Sequence, residues 1–284
     1  MASLKALRKR IATVRSTQQI TRAMKMVSAA KLRRAQEAAE RARPYAAKLT
    51  ELFVAVTADA GEATHPLLAR REERRVDVVV VTSDRGLCGG YNANLLRRAE
   101  ALLRERAEAE VALTVVGRKG IEYFRRRGRR LIAEHTGILT TPAREMAARV
   151  TQAETARFAA AETDVVYLVY SRFKSAISQI PTVVPLLPVP LPAGAGAAVE
   201  YLFEPRRPEL LALLLPRYVE ALATQALLEA IASEHGARMS AMDNATNNAA
   251  DMIGRLTLSM NRARQAGITT ELMEIVSGAE ALKG

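Results

Sequence analysis

Two glycine-bearing turns are the places where this chain could do chemistry. The first, TSDRGLCGGYN, follows an apolar run and sets Gly86, Gly89 and Gly90 beside Ser83 and Arg85. The second is GRKG, Gly117 to Gly120. A glycine-rich turn between a strand and a helix can hold phosphate, because backbone N–H groups and the helix N-terminus both favour an anion. The spacing argues against that use. Neither GxGxxG nor GxxxxGK[ST] occurs, and no glycine precedes Lys and then Ser or Thr. The stronger reading is a tight turn that needs positive φ and close helix-sheet packing.

The rest of the inventory is equally lean. His65, His135 and His235 stand singly, without ligand spacing, so a structural metal is not expected. No Ser-His-Asp arrangement or carboxylate pair forms a motif, and no catalytic residue is assigned. Cys88 is the one cysteine, which excludes an internal disulfide and reads as a small packed apolar residue. With 4% aromatics and no tryptophan, the chain is poorly equipped to stack on bases or sugars. No cofactor is called for.

The elements that carry these turns alternate between strand and helix. Val76 to Val81 is a buried-strand run, Ala93 to Arg106 is helical, Val111 to Val116 is a second strand, and Gly117 opens a basic helix to Arg127. A weaker strand near Leu131 to His135, a helix from about Pro142 to Ala161 and a strand at Val165 to Tyr170 complete the pattern. This predicts an α/β fold: a mostly parallel, Rossmann-like sheet with helices on both faces. Gln179 to Pro192, rich in Val, Leu and Pro, reads as an edge strand and extended loop.

Around this insert lie two long helices. The C-terminal one carries an apolar seam in three-four alternation: Met239, Met242, Thr246, Ala249, Ile253, Leu256, Met260, Ala263 and Gly267. Backwards it passes through His235, Ala232, Leu228, Gln225, Ala221 and Tyr218, with no proline after Pro216. About seven heptads at ~1.5 Å per residue make a helix of roughly 90 Å, which must lie against something equally long. Ala2 to Arg43 contains neither Gly nor Pro. Its stripe of Leu4, Leu7, Ile11 and Val14, then Ile20, Met24 and Val27, shifts phase near Thr17 to Thr21. Expected domains are residues 1–57, a coiled-coil helix; 58–207, the inserted α/β domain; and 208–284, the second coiled-coil helix. The two ends should form an antiparallel coiled coil.

The net charge of the 284 residues is +12, and its location matters more than its size. Between Ala2 and Arg43 twelve Lys or Arg face two acids, whereas the segment from Arg217 onward is slightly acidic. Such a helix suits an acidic partner: nucleic acid, anionic lipid or acidic protein loops. No run of apolar residues reaches the ~18 to 20 needed to span a bilayer, and the basic N-terminus lacks the apolar block of a signal peptide.

Three segments, IATVRSTQQITRAMKMVSAAKLRRAQ, TSDRGLCGGYNANL and NRARQAGITTELMEIVSG, carry a resemblance that runs end to end. The chain resembles the gamma subunit of the F-type rotary ATP synthase. The resemblance implies a central shaft inside a ring of alternating alpha and beta subunits, with its α/β domain against epsilon and the membrane ring of c subunits. It also implies a non-catalytic role coupling ion flow to ATP synthesis or hydrolysis, on the cytoplasmic face of a bacterial inner membrane. No transit segment is seen, and a processed organellar form stays open. The thiol-regulated chloroplast form carries an inserted cysteine pair that this chain lacks.

By the same resemblance Arg264 and Gln265, with Thr269 and Glu271, match the catch that bonds the upper part of a beta subunit. Met24 and Lys25 match a position facing an acidic beta loop, Arg238 lies across the coil at similar height, and Arg8 and Lys9 suit the same acidic surroundings. Met24 reads equally as coiled-coil core. Tyr201, Phe203 and Glu204 resemble a segment near epsilon and the c ring. The alternative is a basic coiled coil that binds nucleic acid; a nucleotide-dependent enzyme using the SDRGLCGG loop is a third reading.

Overall fold

A computed structural model describes residues 4–57, 65–190, 204 and 206–281. Its elements are α1 (Leu4–Thr57), a short 3-10 helix (Pro66–Leu68), β1 (Arg75–Val81), α2 (Tyr91–Glu105), β2 (Glu110–Val116), α3 (Arg118–Arg125), β3 (Leu131–His135), α4 (Ala143–Ala159), β4 (Val165–Phe173), β5 (Gln179–Leu187) and α5 (Arg207–Ala281). The chain forms two compact units, one made of residues 1–27 with 239–284 and the other of residues 28–238.

In the larger unit five strands lie in the order β3-β2-β1-β4-β5. The first four are parallel and β5 pairs antiparallel with β4 at the edge. Alternation on the two central strands sorts the core into layers. Val79 and Val81 of β1 with Val166, Leu168 and Tyr170 of β4 face α4, the end of α1 (Leu49, Phe53, Val56) and the start of α5. Val76, Val78 and Val80 with Val165 and Val169 face α2 and α3. Phe53 stacks on Tyr218 with ring centroids 4.6 Å apart, which ties α1 to α5 on the first layer.

One 18-residue window within Arg207–Ala279 is, by composition, apolar enough to cross a membrane. No unbroken apolar run of that length occurs in the sequence. Leu211, Leu215, Val219, Ala223, Ala226 and Leu227 of α5 are buried in the first core layer, so packing accounts for part of the apolar character of this helix.

The smaller unit is an antiparallel pair formed by the start of α1 and the second half of α5. On α5 the seam from Met239 to Gly267 is as read: each of its nine positions is buried or half-buried. On α1 the phase shift is not there. Ile20 is 58% and Val27 55% exposed, while the inward face keeps three-four spacing through Leu4, Leu7, Ile11, Val14, Gln18, Thr21 and Lys25. A regular helix fixes which residues face inward, and polar ones were tolerated because polar partners meet them. The Thr21 and Thr246 hydroxyls are 2.8 Å apart, and Lys25 Nζ reaches Asp243 Oδ1 at 2.6 Å.

Candidate functional site

Both glycine turns lie at the C-terminal ends of parallel strands, where an open α/β sheet normally holds ligand. Each is already filled by the chain itself. After β1, Asp84 sends its carboxylate to the start of α3 and to the turn after β3, accepting from the backbone N–H of Arg118 (3.1 Å), Gly137 (2.9 Å) and Ile138 (3.0 Å). The N-terminus of α3 is the feature that would attract a phosphate, and an internal carboxylate sits there.

The loop beyond Asp84 has the wrong polarity for an anion. Its carbonyls at Arg85 and Gly86 each accept from Arg238 Nη2 of α5 at 3.3 Å. The Ser83 hydroxyl donates to Arg85 O at 2.7 Å, and Asn92 Nδ2 donates to Ser83 Oγ at 2.7 Å. Gly89 has φ +58° and Leu87 φ +61°, the tight left-handed turn expected of this segment. Gly117 has φ +99°, and a Cβ there would come within 2.3 Å of Thr82 O. At Gly120 a Cβ would meet Val115 Cγ1 at 2.7 Å. The glycines serve turn geometry and the close seating of α3 on the sheet.

Arg238 is held at the centre of this arrangement. It is 8% exposed and donates to Glu234 Oε1 at 2.6 Å. Burial raises the Glu234 carboxyl above its ordinary value, and the Arg238 charge opposes that rise. Its guanidinium is thus engaged within its own chain, by the Arg85 and Gly86 carbonyls and the Glu234 carboxylate.

The remaining titratable singles are structural. Cys88 is buried among apolar neighbours, and desolvation raises its thiol pKa, which leaves it unreactive. His235 is buried and neutral, pushed down to about 4 by burial and by the Arg238 and Lys31 charges. His65 Nδ1 accepts from Leu67 N–H and caps the 3-10 helix. Among the described residues no group of three or more His, Cys, Asp or Glu could hold a metal ion.

The other residues singled out in the sequence are on the surface of the two helices. Arg8, Lys9, Arg264, Gln265, Thr269 and Glu271 are exposed, whereas Met24 and Lys25 are half-buried. Thr269 Oγ1 donates back to Gln265 O at 3.0 Å, four residues earlier on α5. Glu204 is exposed; Tyr201 and Phe203 lie outside the described residues. Sequence reasoning assigned Ile20 and Val27 to the inward stripe and missed the rest of a further set. Ile20, Met26, Val27, Met252, Leu258 and Ile268 form exposed apolar positions on the paired helices. Their signal was present in the sequence, as apolar residues out of step with the three-four seam.

A coil of two terminal helices that encloses, in sequence, a Rossmann-like α/β body is the fold of ATP synthase central stalks. A chain of the Euglena gracilis mitochondrial ATP synthase matches with TM-score 0.69 and 20% identity, over 98% of this chain and 94% of that one. A chain of the Tetrahymena thermophila mitochondrial ATP synthase central stalk and c ring matches with TM-score 0.61 and 26% identity, over 80% of this chain and 99% of that one. In sequence, the family model described as ATP synthase matches residues 3–282. The ATP synthase gamma chain of Anaeromyxobacter sp. is 53% identical, and that of Pelotomaculum thermopropionicum 52%, each with all of both chains covered. The chain belongs to the ATP synthase gamma-chain family. Nothing in these likenesses supports the nucleic-acid alternative.

Proposed function

We propose that this chain is the rotating central shaft of an F-type ATP synthase, turning inside a ring of alpha and beta subunits and carrying the torque of a c ring driven by ion flow. The observation that carries this reading is the outer surface of the helix pair. Its seam is closed on itself by Thr21–Thr246 and Lys25–Asp243, yet large apolar side chains remain outside. Exposed apolar side chains of this size on one helix pair suit a surface that another chain covers. An enclosing ring would supply that cover.

The mechanism follows from asymmetry. The helix pair is basic on α1 and slightly acidic on α5, so each ring subunit would meet a different face at any instant. A shaft that contacts one beta conformation better than another shifts that subunit's equilibrium, and turning it converts torque into differential binding of ADP with phosphate against ATP. The chemistry itself would then reside in other chains, in keeping with a body whose two candidate loops are filled from within.

Contacts to beta subunits are assigned to Arg8, Lys9, Met24 and Lys25 on α1 and to Arg264, Gln265, Thr269 and Glu271 on α5. Tyr201, Phe203 and Glu204 are assigned to epsilon or the c ring. The complex would sit on the cytoplasmic face of a bacterial inner membrane, reached by this chain only through the c ring; bacterial relatives support that placement. The deciding experiment combines the full chain with its own alpha and beta subunits. A stable complex with ATP turnover that depends on this chain is expected. Failure to assemble, or turnover indifferent to the chain, would overturn the reading.

A further inference from the structure

The pairing of α1 with α5 inside the larger unit has one place where it does not close. Ala39, Ala42 and Ala46 on α1 face Ala221, Thr224 and Leu228 on α5 across a cavity of about 250 Å³. Just beyond it, Leu49 and Phe53 of α1 are buried with Tyr218 of α5, so the gap belongs to the alanine stretch alone. Three successive inward positions on α1 carry one methyl group each. Side chains that small cannot span the space between two helices held at the distance their larger neighbours require.

The charges around this gap are three arginines, Arg43, Arg144 and Arg217, against the single carboxylate of Glu220. Arg144 Nε is paired with Glu220 Oε1 at 2.9 Å, whereas Arg43 and Arg217, which also line the cavity, have no ion pair among the described residues. The lining therefore carries an excess of positive charge over apolar walls. An apolar pocket with a small number of convergent polar groups is the general form of a small-molecule site.

We propose that this seam cavity binds a small anionic amphiphile, a medium-chain carboxylate whose tail lies along the alanines while its head meets Arg43 and Arg217. Carboxylate matches a guanidinium in planar, charge-assisted hydrogen bonds, and an alkyl chain matches a wall of methyl groups. A cationic amphiphile would meet the same walls and be repelled at the mouth. The site is independent of the shaft function and stands or fails separately from it.

The test is calorimetric titration of the purified full-length chain with decanoate, beside decanol and decyltrimethylammonium below their aggregation limits. Saturable one-to-one binding of decanoate is expected, with decanol weaker by about tenfold for want of the ionic hydrogen bonds, and no binding of the cation. Arg43→Ala with Arg217→Ala should reduce decanoate to the level of decanol. Ala46→Leu should fill the gap and abolish binding. Should that variant fail to fold, as read by circular dichroism, the arginine pair decides alone. Equal binding of all three amphiphiles, no decanoate binding, or unchanged affinity in the arginine pair would overturn the proposal.

Discussion

The Arg238 guanidinium and the Glu234 carboxylate, one turn apart on α5, meet at 2.6 Å with the Glu234 side chain 1% exposed. The same Arg238 nitrogen holds the carbonyls of Arg85 and Gly86. Removing it would strand a buried charge and free the loop together. Arg238→Ala should cost about 3 to 5 kcal/mol, measured by denaturant unfolding. The penalty should be largest at alkaline pH, because burial already raises the Glu234 pKa and loss of Arg238 raises it further. Adding Glu234→Gln should recover most of the loss; no recovery would show that the loop contacts, not the stranded carboxylate, set the cost.

Gly117 separates a packing role from a ligand role for the GRKG turn. A Cβ there would lie 2.3 Å from a backbone oxygen at a φ of +99°. Gly117→Ala should destabilise the α/β body by about 3 kcal/mol or more, since backbone cannot withdraw as a side chain can. Gly86→Ala, where the added methyl meets nothing within 4 Å, should lie within about 1 kcal/mol of the parent. Thermal unfolding of the two variants provides the comparison. Similar losses at both sites would contradict the packing account.

Glu154 of α4 predicts a pH dependence. It is fully buried, with the Thr114 hydroxyl donating to Oε1 at 2.6 Å, and Asp77 is nearby on β1, paired to Arg157 at 2.8 Å. Burial, opposed by the Thr114 hydrogen bond and reinforced by the Asp77 charge, pushes its carboxyl up to about 7. The folded state therefore keeps a proton that the unfolded chain releases near its ordinary value of 4.5. Below that value both states are protonated and nothing is lost. As pH rises from there to about 7 stability falls, and above it the penalty is constant. Glu154→Gln should flatten that slope and stabilise the protein at pH 8 by up to roughly 3 kcal/mol. A slope unchanged in the variant would place the proton elsewhere.

The strands and the α5 seam were legible because periodicity is a direct consequence of geometry: Val76 to Val81 alternates between two buried layers, and Met239 to Gly267 repeats every three or four residues. The α1 seam was misread because Ile20 and Val27 are apolar and outward, whereas Gln18, Thr21 and Lys25 are polar and inward. Hydropathy marks a seam only where both sides are apolar. A seam closed by Thr21–Thr246 and Lys25–Asp243 needs knowledge of the partner strand of the coil. The role of Arg238 was hidden for a similar reason, since its partners Arg85 and Gly86 are more than 150 residues away in sequence and contribute backbone, not side chains.

Lys25 and Asp243 test how much that ionic register is worth. Both side chains are about two-fifths exposed (41% and 44%), so solvent screens the pair. A double-mutant cycle of Lys25→Ala and Asp243→Ala should give a coupling of about 0.2 to 1 kcal/mol, falling with added salt. A larger, salt-insensitive value would show that the pair is shielded in a way its exposure denies.

Met24 bears on the shaft reading itself. It is half-buried beside Lys25 on a helix with twelve basic residues up to and including Arg43. Met24→Lys would add a charge where an acidic loop of a beta subunit is proposed to pass. Each extra surface attraction of about 1 kcal/mol deepens a stop that rotation must leave at every step. Turnover should slow by up to about fivefold, and ATP made per ion translocated should fall, both measurable with the assembled enzyme in vesicles. Loss of the effect at high ionic strength would mark it as electrostatic. Coupling that stays at the parent level in low salt would remove Met24 from the contact and leave it as part of the helix pair's own packing.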